Sequence, residues 1–487
     1  MDTIPQLLRD IQTQPNSISM SAYDTAWVAW LMPEARDWLV DAQHPDGSWG
    51  ADLEYYHDRV ISTLSAINAL AATSSNGHDL TRIERGIKYL ERAASCLSRD
   101  PTETVGFELL APSLLKTGHK LGLKLDKVAC DLEPYQAVHR QKMAMIPPAM
   151  LYSPEATMCH SLEFVGIDDL DRAAVGALRS SNGSIHSSPA ATAFCEIAGA
   201  GCATGQDYLS STLEYYQGAV PTLAPFELFE IIWSLLHLHL GEDLREFRQV
   251  SQPLIQSMET NWESEGIGLA QGFPADFDNT AAAYMLLSTL SDTPDPAVLR
   301  RYEEEDHFRC YRFERNISLD VHIHLVMALR QVADFPGRDD MLIKAINVLS
   351  RHLQPDFITD KWHVSPYYST AHVVIALEGL ADHLIENQIY WLSHTQQDDG
   401  RWTFYPGFPP AALEETAYAL LALLVIQKRI GSTTNDTIKR GMDYLNTHYR
   451  EHQNLPALWV GKGLYHPMHI TRAVFLAVFA LYDKIYC

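Results

Sequence analysis

Positive charge is scarce in this chain of 487 residues. Lys and Arg number 37 against 61 Asp and Glu, which gives a formal net charge of -24 at pH 7. Such a chain repels the phosphate backbone, so nucleic acid binding is not expected. An anionic small molecule would have to be met by a local group of Lys and Arg or by a divalent cation.

Paired cysteines and long apolar runs are lacking as well. The seven cysteines are scattered and show no C-x-x-C spacing, which predicts free thiols in a reducing compartment. The N-terminal stretch has no basic segment followed by an apolar one, so no secretory signal is expected. The longest apolar runs, such as Ala473–Tyr482, are too short to span a bilayer. We therefore expect a cytoplasmic protein without a transmembrane segment.

Alternating strand patterns are nearly absent, and helical periodicity takes their place. Ile83, Ile87 and Leu90 form one apolar stripe with charged residues between them. Gly, Pro and Asp separate the helical stretches. The chain is also too long for one ordinary core, so we predict an all-α fold with two domains.

One sequence element occurs twice. Gln43–Trp49 and Gln396–Trp402 share the pattern Q-x-x-D-G-x-W, each just after a helical stretch. Gly permits a turn, Asp can cap a helix, and Gln and Trp can brace neighbouring helices. We favour this structural role over catalysis, and the two copies indicate two related helical barrels.

Two aspartates, Asp276 and Asp278, stand at the entrance of an Ala-rich, almost uncharged helix. A carboxylate in such surroundings is unfavourable unless water, a partner or a proton relieves it. An alkene is a very weak base, so its protonation needs an acid held dry beside the double bond, and burial raises the pKa of a carboxyl and keeps it protonated. The alternative is that the pair only caps the helix.

Nine stretches together, in this order along the chain, resemble the class II terpene cyclases, and specifically the bacterial diterpene cyclases. They are Ser21–Trp30, Gln43–Gly50, Asp58–Leu70, Val105–Leu115, Ser181–Ala193, Phe226–Trp233, Asp276–Ala281, Asp360–His372 and Leu458–Tyr465. The resemblance implies two α-barrels, β and γ, with the active cavity between them. It places γ at about residues 36–242 and β at residues 1–35 and 243–487, so that Ser21–Trp30 would belong to β.

The resemblance also assigns the acid. The motif usual in this family is D-x-D-D-T-A, and here it reads Asp276-Phe277-Asp278-Asn279-Thr280-Ala281. Asp278 is thereby the proton donor and Asp276 the second carboxylate. Asn279 replaces the usual third aspartate; it cannot ionise, but it can hold Asp278 in one rotamer by hydrogen bonding.

A carbocation needs aromatic faces and a dry pocket to survive. Aromatic and histidine side chains in the matching segments are the candidates for the cavity wall, with ordinary core packing as the alternative for each. They are Trp233, Tyr284, His322, Trp362, His363, Tyr367 and Tyr368. His322 or His363 could accept the terminating proton.

The resemblance places cations near a substrate diphosphate, at Arg140, Lys142, Lys361 and Lys462. For each of these a solvated surface position is the alternative. Family members usually need Mg²⁺, for which Asp100 and Glu103 are the candidate ligands. The pairs His237/His239 and His322/His324 point to different helix faces, which argues against zinc.

The metal-binding motifs of ionising class I cyclases are missing, so we expect the diphosphate to be retained. The favoured hypothesis is cyclisation of geranylgeranyl diphosphate to a bicyclic diterpenyl diphosphate of halimane or clerodane type, such as kolavenyl diphosphate. The alternatives are a labdane (copalyl) product, a drimenyl-type cyclase acting on farnesyl diphosphate, and an inactive α-barrel scaffold. The sequence does not determine the oligomeric state.

Overall fold

The computed structural model describes residues 3–74, 77–314, 316–431, 435–450 and 453–486. Most of them are helical, and the two strands described here, β1 (Trp459–Val460) and β2 (Leu464–Tyr465), form a short antiparallel hairpin. The all-α prediction is confirmed. The six described cysteines are free thiols, and Cys487 lies outside the described residues.

Two large hydrophobic cores divide the described residues, and a third, small cluster contains residues of both domains. Buried residues between positions 22 and 220 form the γ core, whereas the β core combines positions 4–18 with 226–481. The γ domain is therefore inserted into the β domain, but both ends of the insertion lie earlier than predicted. Assigning Ser21–Trp30 to β was wrong, because Trp27 packs edge-on against Phe194 in the γ core, with the ring centroids 5.7 Å apart.

The γ domain contains ten α-helices in the described residues. They are α2 (Ala22–Ala29), α3 (Pro33–Asp41), α4 (Tyr56–Thr73), α5 (Gly77–Ala93), α6 (Phe107–Lys120), α7 (Asp126–Asp131), α8 (Glu133–Met145), α9 (Pro148–Leu151), α10 (Pro189–Ile197) and α11 (Ala203–Tyr215). Short 3₁₀ segments cover Ala94–Arg99, Thr157–Val165 and Val175–Leu178.

The β domain begins with α1 (Ile4–Thr13) and resumes after the insertion. Its other described helices are α12 (Glu227–Gly241), α13 (Arg248–Thr260), α14 (Phe277–Leu290), α15 (Leu319–Gln331), α16 (Arg338–His352), α17 (Pro366–Leu377), α18 (Glu386–His394), α19 (Ala412–Ile430), α20 (Asp436–His448) and α21 (Met468–Tyr486). Its 3₁₀ segments are Leu244–Phe247, Pro296–Tyr302, Asp382–Leu384 and Pro409–Ala411.

Six helices of the β domain close into an inner ring in which each helix contacts the next. The order around the ring is α12, α14, α15, α17, α19 and α21. These helices are buried on almost every side, which explains why their sequences are apolar all round. Outer helices such as α20 bury one stripe only.

One described helical stretch, Pro409–Ile430, is long and apolar enough to cross a bilayer, contrary to the expectation from run length. Most of it is buried inside the protein, and core helices of folded domains meet the same criterion.

The repeated Q-x-x-D-G-x-W element forms the same turn in both domains. The Gln43 and Gln396 amides each donate to two backbone carbonyls, and the Trp49 and Trp402 indoles each donate at 2.6 Å to a carbonyl of the preceding helix. The structural interpretation of this element is confirmed.

A threonine hydroxyl fastens five inner helices to the loop that precedes each of them. In every case the hydroxyl accepts a hydrogen bond from a backbone N–H of the loop. The pairs are Trp49–Thr63, Ile185–Thr192, Ile267–Thr280, Ile358–Thr370 and Trp402–Thr416, with N···O distances of 2.9–3.1 Å. This contact orients the loops that lead into the helices of the site.

Candidate active site

An apolar cavity of about 300 Å³ lies between the two domains. Aromatic side chains make up much of its wall, and the carboxyls of Asp276 and Asp278 lie on it. The β domain contributes Trp233, Phe273, Trp362, Tyr368 and Trp459, and the γ domain contributes Phe164. A buried carboxyl beside aromatic faces suits acid chemistry on a hydrocarbon.

The two aspartates differ in their contacts. Asp276 caps α14, because its two oxygens accept hydrogen bonds from the backbone N–H and the side-chain amide of Asn279, at 2.8 and 2.7 Å. Burial raises the pKa of Asp276 to about 7; the hydrogen bonds from Asn279 oppose this, and the charge of Asp278 adds to it. The capping interpretation therefore holds for Asp276, whereas Asp278 bonds within the described residues through Oδ1 alone.

A histidine supports Asp278 from behind the cavity wall. Nδ1 of His324 lies 2.7 Å from Oδ1 of Asp278, and the Asp278 side chain is 13% exposed against 1% for His324. The imidazole fixes the orientation of the carboxyl, which is the effect that hydrogen bonding from a neighbouring side chain has on an acid.

Asn279 connects the acid motif to the cavity wall. Its side-chain oxygen accepts a hydrogen bond of 2.9 Å from the indole of Trp233, while its amide donates to Asp276. The predicted contact of Asn279 with Asp278 is replaced by these two bonds. Asn279 thus orients Asp276 and an aromatic face of the cavity.

His160 is the one described imidazole on the cavity wall. Its Nδ1 donates to the carbonyl oxygen of His186 at 2.9 Å, so Nε2 carries the lone pair. Burial, followed by the charge of Lys462, lowers its pKa well below the usual value, and the ring is neutral at pH 7. A neutral imidazole can accept a proton from a carbocation, which is a very strong acid.

Three of the predicted wall residues, Trp233, Trp362 and Tyr368, lie on the cavity. Tyr284 does not, because its ring packs toward Trp262 in the β core. Tyr367 does not either, because its hydroxyl donates to Thr395.

His322 and His363 were also predicted on the wall, and both lie outside it. Nε2 of His322 accepts from the backbone N–H of Phe308 at 3.0 Å. His363 interacts with Ser365 and Glu414. Both rings are satisfied inside the core, so neither reaches a substrate.

A second, more polar chamber of about 610 Å³ adjoins the apolar cavity. Val105, Gly106, Thr157, Met158, Tyr311 and Trp362 line both. Lys142 and Lys361 line the polar chamber, and the ammonium of Lys361 lies 4.6 Å from the centroid of the Trp362 ring. The two lysines are paired with Glu108 and Glu314. Glu103 and Glu155 line this chamber as well, so the role of the two lysines in holding a diphosphate stays a prediction.

The other two predicted cations do not serve this chamber. Arg140 lies on another surface cleft of the γ domain and pairs with Glu133 at 3.0 Å. Lys462 touches the apolar cavity but is fully buried between Asp24 and Glu163, at 3.1 and 2.9 Å. Two carboxylates already neutralise it, so it holds the domains together instead of meeting a substrate anion.

Comparisons with known proteins identify the family of this chain. No protein-family model matches the chain. A type B diterpene cyclase of Mycobacterium tuberculosis is 32% identical over 96% of this chain and 97% of its own. The chain belongs to the class II diterpene cyclase family.

Other members of the class II diterpene cyclase family are longer or more distant. The chloroplastic syn-copalyl diphosphate synthase of Oryza sativa is 32% identical over 75% of this chain, which spans about half (49%) of that plant protein. The solved ent-copalyl diphosphate synthase of Streptomyces platensis has a TM-score of 0.79 and 28% identity, with 98% of both chains covered. That structure shares the complete two-barrel architecture.

The predicted magnesium ligands of this cyclase do not form a donor set. Oδ2 of Asp100 is engaged by the backbone N–H and ring of His57, at 2.8 and 2.7 Å. Glu103 lines the polar chamber, where burial raises its pKa. Within the part of the chain that the structure describes, no three His, Cys, Asp or Glu residues form a group able to hold a metal ion. We assign no step to a protein-held metal.

Sequence reasoning missed two residues of the cyclase site, His160 and His324. His324 is 46 residues from Asp278 and His160 is in the other domain, so no local spacing connects either of them to the acid. The one available signal was the second histidine of the His322/His324 pair in an apolar helix, which is costly to bury without a partner.

Proposed function

We propose that this class II diterpene cyclase converts geranylgeranyl diphosphate into a bicyclic diterpenyl diphosphate and keeps the diphosphate. The observation that carries the proposal is the Asp278 carboxyl on an apolar cavity that adjoins a chamber bearing Lys142 and Lys361. A prenyl diphosphate has the same division into a hydrocarbon chain and an anionic head.

Protonation begins the reaction in this proposal. Asp278, oriented by His324, gives its proton to the terminal alkene of the folded chain. The wall of the cavity excludes water during this step.

Aromatic faces then stabilise the cation. Trp233, Tyr368 and Trp459 line the cavity, and each offers the negative face of a ring to a positive carbon. Nε2 of His160 accepts the proton that ends the reaction and restores an alkene. The lysines of the polar chamber hold the head group throughout, and no step of this proposal breaks the C–O bond to the diphosphate.

The halimane or clerodane skeleton, Mg²⁺ dependence and a cytoplasmic location stay predictions. Mg²⁺ would supply positive charge to the diphosphate, whose own oxygens are suitable hard ligands. Removing divalent ions with EDTA and restoring Mg²⁺ is expected to abolish and then recover turnover.

The decisive experiment incubates the purified chain separately with geranylgeranyl and farnesyl diphosphate, followed by dephosphorylation and mass spectrometry. We expect a bicyclic C20 alcohol from the first substrate. Asp278→Asn is expected to lose at least roughly 10²–10⁴-fold in turnover, in line with removal of a general acid. Asp295→Asn, a change at an exposed helix cap that lines neither the cavity nor the polar chamber, is the matched control and retains activity.

Three results would contradict the proposal. Conversion of farnesyl diphosphate alone would favour the drimenyl alternative. No conversion of either substrate would favour the scaffold alternative. Full activity in Asp278→Asn would remove the acid from the mechanism.

A further inference from the structure

We propose that Asp278 recovers its proton after each turnover through a relay of two histidines, His324 and His372, inside the β domain. This inference rests on the proposed function, because it concerns the return of the acid that starts the reaction. Every cycle leaves Asp278 as a carboxylate in an apolar cavity, so a proton has to reach it by a path that does not flood the cavity with water.

Two consecutive hydrogen bonds lead away from Asp278. His324 lies 2.7 Å from Asp278 through Nδ1, and its Nε2 lies 3.1 Å from Nδ1 of His372. Both rings are buried, at 1% and 0% exposure. Neither histidine lines the cavity. The path therefore runs behind the cavity wall, from α14 through α15 to α17.

The relay ends in a pocket of buried polar atoms. Nε2 of His372 and Nε2 of His237 have no hydrogen-bond partner among the described residues, and the same holds for the hydroxyls of Ser234 and Tyr418. The rings of His237, His372 and Tyr418 lie within 5.2–5.8 Å of one another. Buried polar atoms are almost always satisfied, and ordered water is the usual partner when protein atoms are not.

His237 is suited to hold such a water beside His372. Its Nδ1 donates to the carbonyl oxygen of Trp233 at 2.7 Å, so its Nε2 can only accept. Burial lowers the pKa of His237 to about 3 and that of His372 well below the usual value. Both rings are therefore neutral, and one water can donate a hydrogen to each of them.

Solvent approaches this pocket from the end of the β barrel opposite the acid. A cleft of about 480 Å³ is lined by Leu240, Met327 and Ile375, each three residues beyond a histidine of the group. Three helical residues correspond to a rise of about 4.5 Å. One layer of side chains therefore separates the buried histidines from the cleft, from which protons are replenished.

The proton transfers balance as follows. Water gives one proton to Nε2 of His372, whose Nδ1 proton passes to Nε2 of His324, and the Nδ1 proton of His324 passes to Oδ1 of Asp278. The hydroxide left behind is neutralised by a proton from solvent, which equals the proton released when the product alkene forms. Each ring now carries its proton on the other nitrogen, and a ring flip restores the starting state.

The test separates the first turnover from the later ones. Asp278 already carries its proton before substrate is added. The first turnover of His372→Gln is therefore expected to proceed at a nearly normal rate when enzyme exceeds substrate. With excess substrate its steady-state rate falls roughly 10²-fold, because an amide does not relay protons as imidazole does. His322→Gln, a buried histidine of α15 outside the relay, is the matched control and changes neither rate.

The test is made after the wild type has been shown to turn over, so a failure of the relay is distinguishable from a failure of the proposed function. Each result then supports or overturns the relay. An equal loss in both regimes for His372→Gln means that the residue serves packing or acidity, and overturns the relay. Unchanged rates in both regimes overturn it as well. His237→Phe, which removes the water partner but keeps an aromatic ring, is expected to show the same selective loss if His372→Gln does not fold.

Discussion

At the scale of single residues, Asp276 and Asp278 have the same side-chain chemistry but different contacts. Both oxygens of Asp276 accept hydrogen bonds from Asn279, whereas Asp278 reaches the cavity with one oxygen held by His324. A helix cap and the proposed general acid thus lie two positions apart. The difference arises from the direction of each side chain at the start of α14, and not from residue type.

His160 offers a test of how the reaction ends. His160→Phe leaves Asp278 and its partner intact, so substrate is still consumed, but the cation loses its proton acceptor and follows other exits. We expect a mixed product profile with alternative alkenes and water-captured alcohols, measured by gas chromatography with mass spectrometry. His119→Phe, at an exposed position of the same domain, keeps the wild-type profile; an unchanged profile in His160→Phe would assign the base elsewhere.

Glu415 links stability to pH. Burial raises its pKa to about 7, while hydrogen bonds from Ser365 and Phe404 oppose the shift. Because the folded pKa lies above the unfolded one, its contribution to stability is complete below about pH 4.5 and is lost as the pH rises through 7.

Replacing Glu415 with Gln removes this dependence. Between pH 5 and pH 8 the free energy of unfolding of Glu415→Gln is expected to fall by about 2 kcal/mol less than that of the wild type. Urea denaturation at the two pH values measures the difference, and exposed Glu305→Gln should reproduce the wild type. An identical pH dependence in Glu415→Gln and the wild type would contradict the assignment.

Sequence patterns pointed to two aspartates that lie on the cavity and to two lysines that line the polar chamber, but the two histidines they selected lie outside the cavity wall. His322 and His324 are two residues apart on α15 and both are buried, so neither spacing nor hydrophobicity distinguishes them. The rotation of α15 against α14 decides which ring meets Asp278, and this rotation depends on packing between helices distant in sequence.

At the scale of elements, the repeated turn is the part of the structure that the sequence predicted most directly. Its Gln, Gly and Trp make local contacts that hardly depend on the rest of the fold. The five threonine contacts escaped notice because their spacing varies from 7 to 14 residues. A contact of variable spacing leaves no periodic signal.

Replacing Gly400 tests how strictly this turn requires a glycine. Its φ is +93°, and a Cβ there would lie 2.3 Å from the carbonyl oxygen of Arg440. Gly400→Ala is expected to lower the free energy of unfolding by about 2 kcal/mol or more, since both strain and overlap act.

The repeat also supplies the comparison for that measurement. Gly47→Ala should cost a similar amount, because a Cβ there meets the carbonyl of Arg85 at 2.6 Å. Gly407→Ala, where a Cβ meets nothing within 4 Å, should change stability by less than about 0.5 kcal/mol. Equal effects at Gly400 and Gly407 would mean that the turn tolerates a side chain.

At the scale of the whole molecule, a buried charge joins the two domains. Lys462, beside the β1–β2 hairpin, enters the γ domain and meets Asp24, Glu163 and Ser188. Burial would lower the pKa of Lys462, but the charges of Asp24 and Glu163 outweigh it and raise the pKa. The contact fixes the walls of the cavity relative to each other.

Lys462→Met is therefore expected to destabilise the protein by about 3–5 kcal/mol, because two carboxylates are left buried without a cation. Thermal or urea denaturation measures the loss, and adding Glu163→Gln should recover part of it. Lys116→Met, which breaks an ion pair with both side chains more than half exposed, should cost less than about 1 kcal/mol. Equal losses of stability in Lys462→Met and Lys116→Met would show that the buried ion pairs of Lys462 contribute no more than an exposed pair.

The domain boundaries predicted from the sequence were wrong because the true boundaries depend on contacts between distant parts of the chain. Every residue of α2 is buried, so its sequence shows no stripe that tells which core it faces. The insertion itself was implied by the resemblance, but its ends depend on contacts such as the hydrogen bond from Ser21 N–H to the Val220 carbonyl oxygen, 2.9 Å long.

Because the γ domain is inserted into the β domain, the two segments of the β domain leave the ribosome at different times. Helix α1 emerges before the γ domain and before the helices that cover it: its buried face, with Ile4, Leu7, Leu8 and Ile11, packs on α13 and α21. At ~5–20 residues per second the last helix follows α1 by tens of seconds. The γ domain can fold within that interval, while the apolar face of α1 stays uncovered until α13 and α21 have been synthesised. During synthesis, α1 therefore exposes an apolar face for a long period, in which chaperones can bind it.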